Sequence, residues 1–135
     1  MFTDLASIRS AVNERLTPEL PAGWKVEDSI EGTIKALVPV LYLEFTAVST
    51  TLPNGDALGH GQVSASFNLI ITDPKTDTKK AEASVDEHLV KVLTTLDSFD
   101  DIFWTTGSKS RMPDGPLAWS INAFAIASTQ PTEQD

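Results

Sequence analysis

The chain has 135 residues, of which 41% are hydrophobic and 21% charged, with no cysteine and a formal net charge of −9 at pH 7. That length fits one domain able to bury a core, and the composition excludes wholesale disorder. The lack of cysteine excludes disulfides, thiolate metal sites and a cysteine nucleophile, and an acidic chain without a basic cluster is a poor candidate for tight DNA binding by phosphate neutralisation.

The N-terminal stretch MFTDLASIRSAVNER carries Asp4, Arg9, Glu14 and Arg15 where a secretory signal needs an apolar run, so none is expected. Leu5, Ile8, Val12 and Leu16 recur at helical spacing with Ala11 beside them, which predicts an amphipathic helix over about residues 3–16. Thr3 is the expected N-cap, Asp4 suits the positive end of the dipole, and Pro18 and Pro21 stop the helix. GWKVED (23–28) reads as a short strand, whereas SIEGTIKAL (29–37) has no assignable pattern. The longest apolar run, ALVPVLYL (36–43), is far short of the roughly 20 residues that span a bilayer.

From Pro39 the pattern clears. In PVLYLEFTAVS, Leu41, Leu43, Phe45 and Ala47 fall on one face and Tyr42, Glu44, Thr46 and Val48 on the other. QVSASFNLIIT repeats the alternation, with Val63, Ala65, Phe67, Leu69 and Ile71 against Gln62, Ser64, Ser66, Asn68, Ile70 and Thr72. Period-2 alternation of this length predicts antiparallel strands with one buried face. Asp73-Pro74 ends the second strand, and a helix follows within residues 75–96. Ala81, Val85, Leu89, Val92, Leu93 and Leu96 form its apolar stripe, while Lys79, Lys80, Glu82, Asp86, Glu87 and Lys91 face outward. DIFWTTGSKSR (101–111) reads as a strand, MPDGP as a turn and LAWSINAFAIAS (117–128) as a closing strand. The order is α-β-β-β-α-β-β, which implies an α+β two-layer sandwich: a mostly antiparallel sheet with both helices on one face. A single domain over residues 1–127 is expected, with no internal repeat, followed by a flexible acidic tail over 128–135.

Chemistry is sparse. His60 and His88 have no ligand-spaced partners for a zinc site beyond the dipeptide Glu87–His88. His88 reads as a histidine at the boundary of the second helix's apolar stripe, and His60, between two glycines, as a mobile loop residue. Asp97, Asp100 and Asp101 bunch after that helix without the frame of a calcium loop. Glu27, Asp28 and Glu31 form a second group, and both groups read as solvated carboxylates. No nucleophile-elbow, phosphate-loop or dinucleotide fingerprint is present. The segment TLPNGDALGHG (51–61) joins two strands, so Gly55, Gly59 and Gly61 serve a chain reversal begun by Pro53-Asn54-Gly55 rather than a phosphate cradle. Phe99, Phe103 and Trp104 read as core closing the end of the second helix, with Trp24 and Trp119 as core or interface. The polar sheet face is the unusual feature. Thr46, Val48, Ser64, Ser66 and Asn68 are small and uncharged where a solvated face carries more Lys and Glu, which fits packing against another subunit as well as plain exposure.

With these elements in order, the chain resembles the tail terminator proteins of long-tailed, siphovirus-type bacteriophages, particularly phages of actinobacteria. The resemblance runs through LPAGWKVED, VPVLYLEF and SFNLIITDP, is densest in DPKTDTKKAEASVDEHLVKVLTTLD, and continues through IFWTTGSKSR and LAWSINAFAI. It implies a structural virion protein forming a ring, usually hexameric, that caps the head-proximal end of the tail tube, ends its polymerisation and offers a head-joining surface. The implied partners are further copies of the chain, the major tail tube protein and a head completion or neck protein. DNA passes through the lumen without specific binding, and neither cofactor nor reaction is involved. An acidic lumen would repel the passing phosphates. The expected interface residues are Leu52, Asn54, Asp56, Leu58 and His60 in a loop projecting from the sheet, with Thr46, Ser64, Ser66 and Asn68 on the polar face. Three other readings stay open: a different head–tail connector, a small α+β enzyme using His60 with Asp56, or a monomeric binding module with a groove beside the polar face.

Overall fold

A computed structural model describes residues 2–20, 24–27, 40–72, 78–111 and 117–128. Among the described residues two α-helices, α1 (Leu5–Leu16) and α2 (Thr78–Asp97), accompany five strands: β1 (Lys25–Glu27), β2 (Val40–Ser49), β3 (Gln62–Thr72), β4 (Ile102–Arg111) and β5 (Leu117–Ser128). The expected α+β class and helix–strand order hold. The strands form one mixed sheet in the order β1-β2-β3-β5-β4, in which only β1 and β2 are parallel.

Helix α1 buries Ile8, Val12 and Leu16, one residue per turn on the sheet side. Its cap lies one residue later than the sequence suggests. Asp4 accepts from the Ser7 amide at 2.7 Å and Ser7 Oγ reaches back to the Asp4 backbone, a reciprocal capping box. Thr3 cannot take that place because Asp4 is itself extended, at φ −156° and ψ 171°, so the first helical residue is Leu5. Helix α2 turns Val85, Val92 and Leu96 into the core, with Leu89 and Leu93 packed partly against it. Residues 73–77, where the sequence reading starts this helix, lie outside the described residues, as do Asp28 and Glu31 of the group whose Glu27 ends β1, and the expected tail apart from Ser128, which closes β5.

The core fills the space between helices and sheet with Leu41, Leu43, Phe67, Leu69, Ile71, Ile121 and Ala125 from the strands. The alternation in β2 holds up to Phe45 and then changes hand. Phe45 pairs with Phe67, but Ala47 pairs with Ser66, which leaves Thr46 as an extra residue in a β-bulge. One added residue in a period of two exchanges the faces. Ala47 therefore lies on the outer side, and Val48, opposite the buried Ala65, on the helix side, although 55% of Val48 is exposed.

Strand β4 carries the same irregularity at Thr105, between Trp104 and Thr106. The correspondence extends over six pairs around each bulge. Leu43–Leu69, Glu44–Asn68, Phe45–Phe67, Ala47–Ser66, Val48–Ala65 and Ser49–Ser64 match Ile102–Ala125, Phe103–Phe124, Trp104–Ala123, Thr106–Asn122, Gly107–Ile121 and Ser108–Ser120. Because Phe67 pairs with Ala123, Ser66 with Phe124 and Asn68 with Asn122, a local twofold axis normal to the sheet relates the two hairpins. Among the described residues α1 precedes the first hairpin, with β1 between them, and α2 directly precedes the second, so the sheet is built around two related helix-and-hairpin units. Strand β1 and the 3-10 turn Thr17–Glu19 have no described counterpart in the second unit.

Candidate assembly surface

The side of the sheet away from the helices divides into two zones. At one end Val40, Tyr42, Thr72 and Ala118 are buried although they face outward. Burial, helped by the charge of Glu44, pushes the Tyr42 phenol above its ordinary value. Further along, Glu44, Asn68, Asn122 and Thr106 cross the sheet in one row and Ala47, Ser66, Phe124 and Phe103 in the next, open to solvent to varying degrees. Among the described outward residues of β2 to β5, Glu44 is the single charge.

The two bulges shape this zone. A bulge bends its strand and strengthens the local twist, and here it acts on both flanking strands about the local axis. The result is an open cleft of about 200 Å³ centred on that axis. Its lining includes four axis-related pairs: Thr46 and Thr105, Ser66 and Asn122, Phe67 and Ala123, Asn68 and Phe124. The bulge threonines make equivalent hydrogen bonds, Thr46 Oγ1 to the Ser66 carbonyl and Thr105 Oγ1 to the Asn122 carbonyl, each 3.3 Å. The carboxamides of Asn68 and Asn122 have no partner among the described residues. Chemically the two halves differ. Where the first unit has Glu44 and Asn68, the second has Phe103 and Phe124, whose rings stack at 5.2 Å with 26° between planes. Phe103 is 44% exposed, so it is not the core residue the sequence suggests.

Of the expected interface residues, Thr46, Ser66 and Asn68 come together around this cleft. Ser64 faces the same side but is buried. The loop is a small second hairpin: Thr51 bridges Ala57, the Leu58 amide donates to Thr50 O, and a turn closes from Gly55 N to Leu52 O at 2.9 Å. Asn54 accepts from the Asp56 amide and donates to its carboxylate. Rather than projecting freely, the hairpin brings Pro53 to the rim of the cleft. Leu52 and Leu58 are half-buried, whereas Asn54, Asp56 and His60 are exposed. Asp56 bonds to Asn54 and not to His60, so no acid–base pair forms in this loop.

Elsewhere polar side chains tie elements together. Asp86, expected to face outward, accepts from Trp119 Nε1 at 2.6 Å and pairs with Lys109 Nζ at 3.0 Å, joining α2 to β5 and β4. The Trp119 bond and then Lys109 hold its carboxyl below the usual carboxylate range against the opposing effect of desolvation. Asp97 accepts from Trp104 Nε1 at 3.0 Å. His88 packs edge-on against Trp24, a boundary residue as expected. Among the described residues no three His, Asp or Glu side chains are grouped to hold a metal ion, and no helix is long and apolar enough to cross a membrane.

The signal the sequence reading missed is a repeated phrase. Leu43-x-Phe45-Thr46-x-x-Ser49 recurs as Ile102-x-Trp104-Thr105-x-x-Ser108 and marks both bulges. Comparison with known protein families finds no match, and comparison with curated proteins finds none either.

Proposed function

We propose that the chain is a structural virion protein of the tail terminator type, which caps the head-proximal end of a phage tail tube as a ring of identical subunits. The observation that carries this reading is the outer sheet face. It is almost free of charge in a chain of net charge −9 and carries a stacked aromatic pair, half-buried Phe124 and exposed Phe103 on the edge strand β4. An exposed face of this kind suits burial against protein. Both flanking strands are bulged, a device that discourages strand-to-strand addition, so subunits are expected to meet through faces rather than edges. The resemblance of nearly the whole sequence to tail terminators supplies the biological setting: contacts with the major tail tube protein on one side and a head completion protein on the other. The acidic balance suits a passage for DNA, since carboxylates lining a lumen would repel phosphate.

The test is electron microscopy of tail tubes assembled with and without the protein. Tubes that stop at a fixed length and join heads only when it is present support the reading. Unchanged tube length together with unchanged head joining refutes it.

A further inference from the structure

The two-layer sandwich exposes large apolar side chains on both of its broad sides. Phe103 lies on the outer sheet face, and Val90, 66% exposed, lies on the solvent side of α2. Glu87, Lys91 and Thr94 are also exposed on that side of the helix, opposite the buried Val85, Val92 and Leu96. The two sides are complementary in shape. The sheet face is hollowed by the paired bulges into the cleft at the local axis, and a helix surface is convex. They are also complementary in charge. Glu44 is the one described charge facing out from β2 to β5, Lys91 adjoins Val90, and neither ion-pairs with a described residue.

We propose that the outer sheet face of one copy seats α2 of a second copy, with Val90 against the Phe103–Phe124 pair and Lys91 toward Glu44. This rests on the ring reading above and names the contact that builds it. The contact is heterologous, front to back, so every copy keeps one free partner surface until the ring closes. A face-to-face contact would use the same patch twice and stop at a dimer. The area sets its strength. Four strands about 4.8 Å apart, open over some six residues, offer on the order of 400 Å² per copy. That is about half the area per partner of a standard stable interface, so association is weak in dilute solution and needs the tube end as a template.

The chain has no cysteine, which allows a clean test on tubes assembled with the protein. The double variant Val90→Cys with Phe103→Cys, oxidised on the tube end, is expected to give a ladder of linked species beyond the dimer. Each single variant should give only background. A linked dimer from Phe103→Cys alone would indicate face-to-face packing and overturn the proposal, as would the absence of a ladder on tubes that the double variant still caps. In the latter case the terminator reading survives and only this contact fails. Wild-type protein that leaves tubes uncapped overturns both. As a second measurement, Lys91→Glu should lower capping roughly threefold, the weight of one exposed charge pair, and Glu44→Lys in the same chain should restore it. Failure of restoration also counts against the contact.

Discussion

Replacing Trp119 by Phe removes one indole N–H and keeps most of the ring's packing. In the native chain that N–H donates at 2.6 Å to Asp86 Oδ1, and Lys109 reaches the same carboxylate. A hydrogen bond to a charged group contributes roughly 1.5–3 kcal/mol when well shielded. Because the Asp86 side chain is 44% exposed, solvent screening reduces the expected loss to about 1 kcal/mol. For a chain of 135 residues this lowers Tm by roughly 3–5 °C. Urea denaturation of wild type, Trp119→Phe, Asp86→Ala and the double variant forms a cycle whose coupling should be about 1 kcal/mol. The pH dependence has a definite sign. The folded carboxyl is held below its ordinary value, so its contribution is present above the unfolded pKa of about 3.9 and is lost as pH falls through the lower folded value. The stability gap between wild type and Trp119→Phe should therefore close as the pH drops below about 4. Additive single effects, or a gap unchanged at low pH, would refute the assignment of Asp86 as the tie between α2 and the sheet.

Two further outcomes can be measured on the isolated protein. Tyr42 is the chain's one tyrosine, and burial followed by the Glu44 charge raises its folded pKa, so alkaline absorbance titration should place its midpoint above the ordinary value of about 10. The associated stability is present below the unfolded pKa and is lost as pH rises through the folded one; a midpoint at the ordinary value contradicts the burial. Gly55 has φ +94° with open space where a methyl group would stand, so Gly55→Ala should cost about 1–2 kcal/mol from backbone strain alone. Gly59→Ala meets only the flexible end of Gln62 at 3.2 Å and should unfold in urea close to wild type, so equal losses at the two sites would contradict this account.

The elements were legible where periodicity is long. The 3.6-residue stripe of α2 and the alternation of β3 each reflect one buried side and appear as they must in the sequence. What failed did so for local reasons. A single inserted residue at Thr46 reverses the faces of Ala47 and Val48, and no period-2 count anticipates it. Phe103 follows the hydrophobic habit of core residues, yet its register opposite Phe124 turns it outward. Asp86 reads as an outward charge because its partners, Lys109 and Trp119, are distant in sequence. Of the surface, Thr46, Ser66 and Asn68 could be read from alternation, whereas the aromatic half could not, because it depends on which strands β5 adjoins.

The two-unit architecture has a kinetic consequence. Each hairpin pairs strands that follow one another in the chain, so its loop-closure cost is small and its strands can zip early. Among the described residues the β3–β5 ladder, joining Val63 to Ala127 and Ile71 to Trp119, is the main strand pairing that unites the halves, beside the single bridge of Phe2 to Ala127, and it must wait for a much longer segment to close. Closing this central seam is therefore the expected rate-limiting step. Because the hairpins are already paired when it closes, substitutions in the seam and in the hairpin strands alike are expected to slow folding, whereas contacts made after the seam closes chiefly affect unfolding.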